Sequence, residues 1–172
     1  MSICGAGRDI ASRAIYTHDT MEPIPDRYRY QAGQLEALRT LVAASPRSFS
    51  LNLAICSDST LRSLLVQQLQ AGFPAIEMVS FWPYTVDLFE HVHAAMSTSP
   101  KDALFVSGIE DALAADIDHE TLLATLNSSP PRWRAWFACP VVFWVNQETA
   151  DTLREKAKDF WEWQSELFRM DA

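Results

Sequence analysis

Glycine is scarce in this chain, with five in 172 residues. None stands where a phosphate-cradling loop would need one. Gly5-Ala6-Gly7 offers two of the glycines of a dinucleotide fingerprint, but no strand precedes them and no third glycine follows. Cysteine is equally sparse. Cys4, Cys56 and Cys139 are odd in number, far apart and show no CxxC pairing. That pattern fits free thiols in a reducing compartment, and those at or beside apolar strands act as small hydrophobes. Positive charge is short as well, the net charge being −8. An acidic surface repels a phosphate backbone. The two densest basic stretches, 27–29 and 154–158, are brief, the second mixed with an acid, so no direct nucleic-acid partner is expected. There is no basic leader followed by an apolar run, and no apolar segment of membrane-spanning length, about 18 residues. No membrane association and a cytoplasmic location are the expectations. Internal repeats and low-complexity tracts are absent too.

What is present suits a globular domain: 48% hydrophobic and 11% aromatic residues, in a chain long enough to bury a core. Residues 1–30 read as an irregular arm, with Pro23 and Pro25 bracketing one apolar residue. Residues 31–172 read as a single α/β domain. From Gln34, the positions Leu35, Leu38, Leu41 and Val42 follow helical spacing until Ser45-Pro46. Phe49 to Cys56 is a first strand. Leu61, Leu64, Leu65 and Leu69 stripe the next helix, which Ser57 to Ser59 cap and Gly72 ends. A second strand covers Ala75 to Phe81, and Val86, Phe89, Val92 and Met96 mark a helix. A third strand, Ala103 to Val106, precedes a helix carrying Leu122, Leu123 and Leu126 that ends at Pro130-Pro131. Val141 to Val145 is a fourth strand, and a polar helix covers 147–158. Strands apolar on both faces, alternating with helices, predict a three-layer α/β fold. Its sheet should be largely parallel, of four to five strands, with helices on both faces.

Ligands of such sheets bind beyond the carboxyl ends of the strands. Those ends carry Ser57, Asp58, Ser59 and Thr60 after the first strand and Ser80 after the second. Glu110 and Asp111 follow the third, and Asn146 the fourth. A helix N-terminus at Ser57 to Thr60 could receive an anion, but Asp58 would repel a phosphate, and ordinary capping explains the same residues. His91 and His93, two apart on a helix, point to different faces and would not chelate one ion. They read as solvent-exposed, as do His18 and His119. No cofactor and no metal is expected. Cys56, before a helix, could be an activated thiolate, but no histidine is placed to serve it, and burial is the better reading.

The segment order from residue 34 to 168 resembles the nucleotide-binding domain of AAA-like STAND NTPases, in particular a degenerate prokaryotic branch that often precedes TPR-type or effector regions. Leu53-Ala54-Ile55-Cys56-Ser57-Asp58 stands in the Walker A position, and Ala103 to Glu110 in the Walker B position. Cys139 to Val145 and Asp159 to Phe168 form the aromatic-rich C-terminal run. The resemblance implies a P-loop-NTPase-like fold. The departures bear on activity. A working Walker A is G-x-x-x-x-G-K-S/T, whose glycine amides wrap phosphates while lysine and hydroxyl serve phosphate and magnesium. Here glycine and lysine are both missing, and Ser107 fills the Walker B aspartate slot. Phosphoryl transfer depends on those groups, so a non-enzyme is expected.

The expected function is a non-catalytic, STAND/AAA-like module working by protein-protein contact. An adaptor or regulatory subunit in a bacterial defence or signalling complex is what the resemblance implies. The partner, another protein, would meet the aromatic-rich C-terminal region or the N-terminal arm. Trp133, Trp136, Trp161 and Trp163 are the interface candidates, because clusters of exposed aromatics tend to be interfaces. Phe160, Trp163 and Leu167 could instead pack on the sheet at helical spacing. The alternative is a nucleotide-binding switch or weak NTPase, with a non-standard phosphate loop around Ser57, Asp58, Ser59 and Thr60 and with Glu110, Asp111 and Asn146 around it.

Overall fold

The structure, a computed structural model, describes residues 29–45, 47–96, 98–115 and 118–171. The first element is a helix, α1 (Arg29–Ala44), followed by β1 (Ser50–Ile55), α2 (Ser59–Gly72), β2 (Ile76–Ser80), α3 (Leu88–Ala95) and β3 (Ala103–Ser107). Three helices come next, α4 (Ile109–Ala114), α5 (His119–Ser128) and α6 (Pro130–Trp136). Then β4 (Pro140–Val145), α7 (Gln147–Lys156), α8 (Lys158–Glu162) and β5 (Gln164–Arg169) complete the described chain. The strands form one sheet in the order β2-β3-β4-β1-β5, and every ladder is parallel. This is the three-layer, P-loop-NTPase-like α/β fold that the sequence predicts.

Alternation along the strands builds two cores. Leu51, Leu53 and Ile55 of β1 join Leu104 and Val106 of β3 and Val141, Phe143 and Val145 of β4 in one buried cluster. Ala54, Phe105, Val142 and Trp144 point the other way, into a second. Side chains at period two, apolar at most positions of β1, β3 and β4 with the buried Asn52 an exception, give this double burial. Helices α1 and α2 cover the second face, and α3 to α8 cover the first. The division follows from the strand order. The step from β1 to β2 crosses the sheet in one direction, and the later steps return in the other. With one crossover hand, reversing direction moves the connecting helix to the opposite face.

Four local readings need correction. Helix α1 starts before Gln34, because the Gln31 amide donates to the Met170 carbonyl at 3.0 Å and is buried there. Residues 29 and 30 of the expected arm are therefore helical, and its residues 1–28 lie outside the described residues. Pro130 and Pro131 do more than end α5; they open α6, since the first helical positions need no amide donor. Glu110 and Asp111 sit in the first turn of α4, entered through Gly108 at φ 88°. Finally, Trp163 and Leu167 do not continue a helix. Trp163 closes α8 and Leu167 belongs to β5, an edge strand in which Phe168 alone is buried. So little burial leaves no period-two pattern to read. No helix among the described residues is long and apolar enough to cross a membrane.

Candidate functional site

The carboxyl ends of β1, β2, β3 and β4 meet around one open cavity of about 320 Å³. Ser57, Ser59 and Arg62 line it from the β1–α2 side, Ser80 and Ser107 from β2 and β3, Glu110 and Asp111 from α4, and Asn146 from the end of β4. The fold thus brings Ser57, Ser59, Glu110, Asp111 and Asn146 to one cavity, while Asp58 and Thr60 stand outside its lining. The Ser80 and Ser107 hydroxyls lie 2.9 Å apart.

The turn after β1 is where phosphate would be held, and two carboxylates of the chain occupy several of its donors. Asp58 caps α2, its Oδ1 accepting from the amides of Thr60 at 2.9 Å and Leu61 at 3.0 Å. Asp171, which follows β5, supplies a second carboxylate. Its Oδ1 accepts from the Ser57 amide and its Oδ2 from the Ser57 hydroxyl, both at 2.8 Å. Two oxygens of one carboxyl group on the amide and hydroxyl of one residue make an arrangement an oxyanion could otherwise take. Both carboxylates gain from the positive end of the α2 dipole. The Ser57 hydroxyl oxygen also accepts from the Gln147 amide at 3.3 Å, joining the turn to α7.

Arg62 crosses beneath this turn. One guanidinium nitrogen, Nη2, donates to the Cys56 carbonyl at 2.7 Å and to Glu110 Oε1 at 2.8 Å. Glu110 is thereby held in an ion pair rather than offered to a cation, while its Oε2 is buried without a partner among the described residues. Asn146 caps α7, accepting from the Thr149 amide at 2.7 Å. The charge lining the cavity is Glu110 and Asp111 against Arg62, with Asp58 and Asp171 on the adjoining turn and Arg169 bonded to Gln147 beside it. A polyphosphate would enter against that field. Among the described residues no cluster of three or more His, Cys, Asp or Glu side chains could hold a metal ion. Arg62 and Asp171 escaped the sequence reading. Asp171 reaches Ser57 across 114 residues, a distance over which no local pattern speaks.

Other candidates are placed as follows. Cys56 is fully buried, and burial, then the Asp171 carboxylate, pushes its thiol up to about 11. His91 and His93 are half-buried rather than solvent-exposed. His91 Nε2 donates to the Ser80 carbonyl at 3.0 Å, and the His93 ring lies 4.4 Å from that of Trp136. His119 is exposed, and His18 lies outside the described residues. Trp133 is no interface residue. It is fully buried, packs edge-on to Phe143 at 5.2 Å, and donates from Nε1 to the Ser129 hydroxyl at 2.8 Å. Trp161 is half-buried against the core, Trp163 is 37% exposed and Trp136 62%. The sequence reading missed Trp82 and Tyr84, 70% and 76% exposed on the β2–α3 turn.

No family model matches the chain, and no curated protein matches it. Among solved structures, the ORC2 protein of Aeropyrum pernix, in ADPNP-ADP complexes, is similar at a TM-score of 0.45 and 11% identity, over 86% of this chain and 49% of that one. Cdc6p of Pyrobaculum aerophilum is similar at a TM-score of 0.44 and 10% identity, over 87% of this chain and 48% of that one. The chain spans about half the length of each. At such TM-scores the two likenesses carry no further weight, and the fold assignment rests on strand order and direction.

Proposed function

We propose that this chain is a non-catalytic STAND/AAA-like module that works by protein-protein contact, as an adaptor or regulatory subunit. A bacterial defence or signalling complex is the setting its sequence resemblance suggests. The observation that carries the reading is the Asp171 carboxylate on the Ser57 amide and hydroxyl. With Asp58 on the Thr60 and Leu61 amides, three amides and one hydroxyl of the turn are already committed to carboxylates. The contact side of the proposal draws support from the β2–α3 turn. Its Trp82 amide donates to the Thr85 hydroxyl at 3.1 Å, and the Thr85 amide donates back to the Trp82 carbonyl at 2.9 Å. The Thr125 hydroxyl fixes the Val86 carbonyl at 2.9 Å. Two exposed aromatics on a braced turn lose little entropy on binding.

Calorimetry with ATP and ADP, each with magnesium, tests the proposal. No saturable heat is expected. Micromolar affinity that Ser59→Ala or Glu110→Ala abolishes would overturn it in favour of a nucleotide-binding switch. That second reading draws on the convergence of Ser57, Ser59, Glu110, Asp111 and Asn146 on one cavity.

A further inference from the structure

A second cavity, of about 540 Å³, lies at the opposite end of the sheet, beside the residues that lead into β1, β3 and β4. Its volume falls in the range of small-molecule pockets, about 300–1,000 Å³. Met96, Trp136, Phe137 and Cys139 give it an apolar wall. The Trp136 indole is largely exposed yet braced, lying edge-to-face on His93 at 4.4 Å, whose ring stacks in turn on Phe89 at 5.7 Å.

Arg47 and Lys101 are the charged residues of the cavity, beside Thr98 and Ser99. Lys101 is engaged with Glu77 at 2.6 Å and with Ser99 at 2.8 Å. The neighbouring carboxylate of Asp102 accepts from the Ala75 amide at 3.1 Å. Arg47 is different. It has no hydrogen-bond or ion-pair partner among the described residues, although the chain carries 22 acidic side chains against 14 basic ones. Its backbone takes φ 64°, a left-handed conformation that non-glycine residues rarely adopt. A guanidinium offers a planar fork that fits one carboxylate.

From the unpaired Arg47 lining a pocket walled by a braced tryptophan, we infer a binding site for a small organic monoanion. Its ligand has a flat apolar body against Trp136, Phe137 and Met96, and a single carboxylate on Arg47. With Lys101 paired to Glu77, Arg47 is left as the one unpaired cation of the cavity in a chain of net charge −8, which selects against polyphosphates. The site shares no residue with the β1–α2 cavity, so it stands or falls independently of the proposed function.

The test is titration of the full chain with 2-naphthoate and with its neutral isostere 2-naphthamide, by calorimetry and by NMR. Saturable one-to-one binding of 2-naphthoate is expected, with the amide weaker. Arg47→Gln should weaken the naphthoate about fivefold, the upper range for an accessible ion pair, and leave the amide unchanged. Trp136→Ala should weaken both ligands about tenfold. Both residues are exposed, so circular dichroism should report folded variants. No saturable binding at millimolar 2-naphthoate, equal binding of the amide, or an Arg47→Gln variant that binds as well as the parent would each overturn the assignment.

Discussion

Asp171 closes the turn after β1 by holding the Ser57 amide and hydroxyl at 2.8 Å each. The same segment is tied in on both sides. The Met170 amide donates to the Ile55 carbonyl at 2.8 Å, and Gln31 donates to Met170. The end of β5, the start of α1 and the would-be phosphate turn are therefore one connected unit. Asp171→Ala should lower stability by about 1 kcal/mol, since the bonds are charge-assisted but solvent-accessible. Exchange of the Ser57 amide should accelerate more than exchange of the amides within β1. Unchanged protection of Ser57 in the variant would mean that the carboxylate is not its partner in solution.

The two tryptophans of α6 should behave oppositely. Trp133 is enclosed by Phe89, Phe137 and Phe143 and hydrogen-bonded to Ser129. Trp133→Ala should therefore cost about 3–5 kcal/mol through its cavity, while the Ser129 hydroxyl loses one donor and keeps its bond to the Leu126 carbonyl. Trp136→Ala removes a largely exposed ring and should change stability by less than about 0.5 kcal/mol. Urea midpoints decide this; comparable losses in both variants would contradict the packing described here.

How far these features were legible in the sequence depends on how local their causes are. Four strands, the parallel sheet and the Asp58 cap could be read, because apolar runs and capping chemistry act within a few residues. The split between Trp133 and Trp136 could not, since three positions apart on a seven-residue helix both looked equally able to face solvent. β5 escaped because its burial comes from β1 and α1 rather than from its own pattern. The cavity residues Ser57, Ser59, Glu110, Asp111 and Asn146 followed from a rule about strand ends. Arg62 and Asp171, which change the meaning of that cavity, are tertiary partners with no local signature.

Alkaline pH should destabilise the protein through its buried thiols. Burial raises Cys56 and Cys139 from an ordinary 9.0 to about 11 each. Between those values the unfolded chain has released the thiol protons and the folded chain still holds them, so the unfolded state binds fewer protons. Stability then falls as pH rises from about 9 towards about 11, having been fully present below 9. Denaturation at pH 8, 9 and 10 should show that decline, and a Cys56→Ser, Cys139→Ser pair should flatten it. A slope identical in the pair would assign the effect to other groups. Neither thiol should react with iodoacetamide at pH 8 without prior unfolding.

Gly108 sets the geometry at the third strand end, and Gly108→Ala should be among the costlier single changes outside the core. Its φ of 88° disfavours any side chain, and an added Cβ would stand 2.9 Å from the Phe81 carbonyl oxygen and 3.0 Å from the Phe81 nitrogen. Those atoms are backbone, pinned by the Phe81 amide donating to the Ser107 carbonyl at 2.8 Å, so the clash cannot be relieved by rotating a side chain. The left-handed backbone costs about 1–2 kcal/mol, and displacing the Phe81 strand end should bring the loss to about 2–4 kcal/mol. Gly33→Ala is the internal comparison. It lies inside α1 with nothing within 4 Å, and alanine there should stabilise by about 0.5–1 kcal/mol. The displaced Phe81 leads directly into Trp82 and Tyr84. Gly108→Ala should therefore also shift the NMR resonances of the Trp82 indole, which Gly33→Ala leaves in place. An alanine at 108 that costs nothing would show that the β3–α4 turn relaxes freely, and that the braced aromatic turn beside it is not set by this contact.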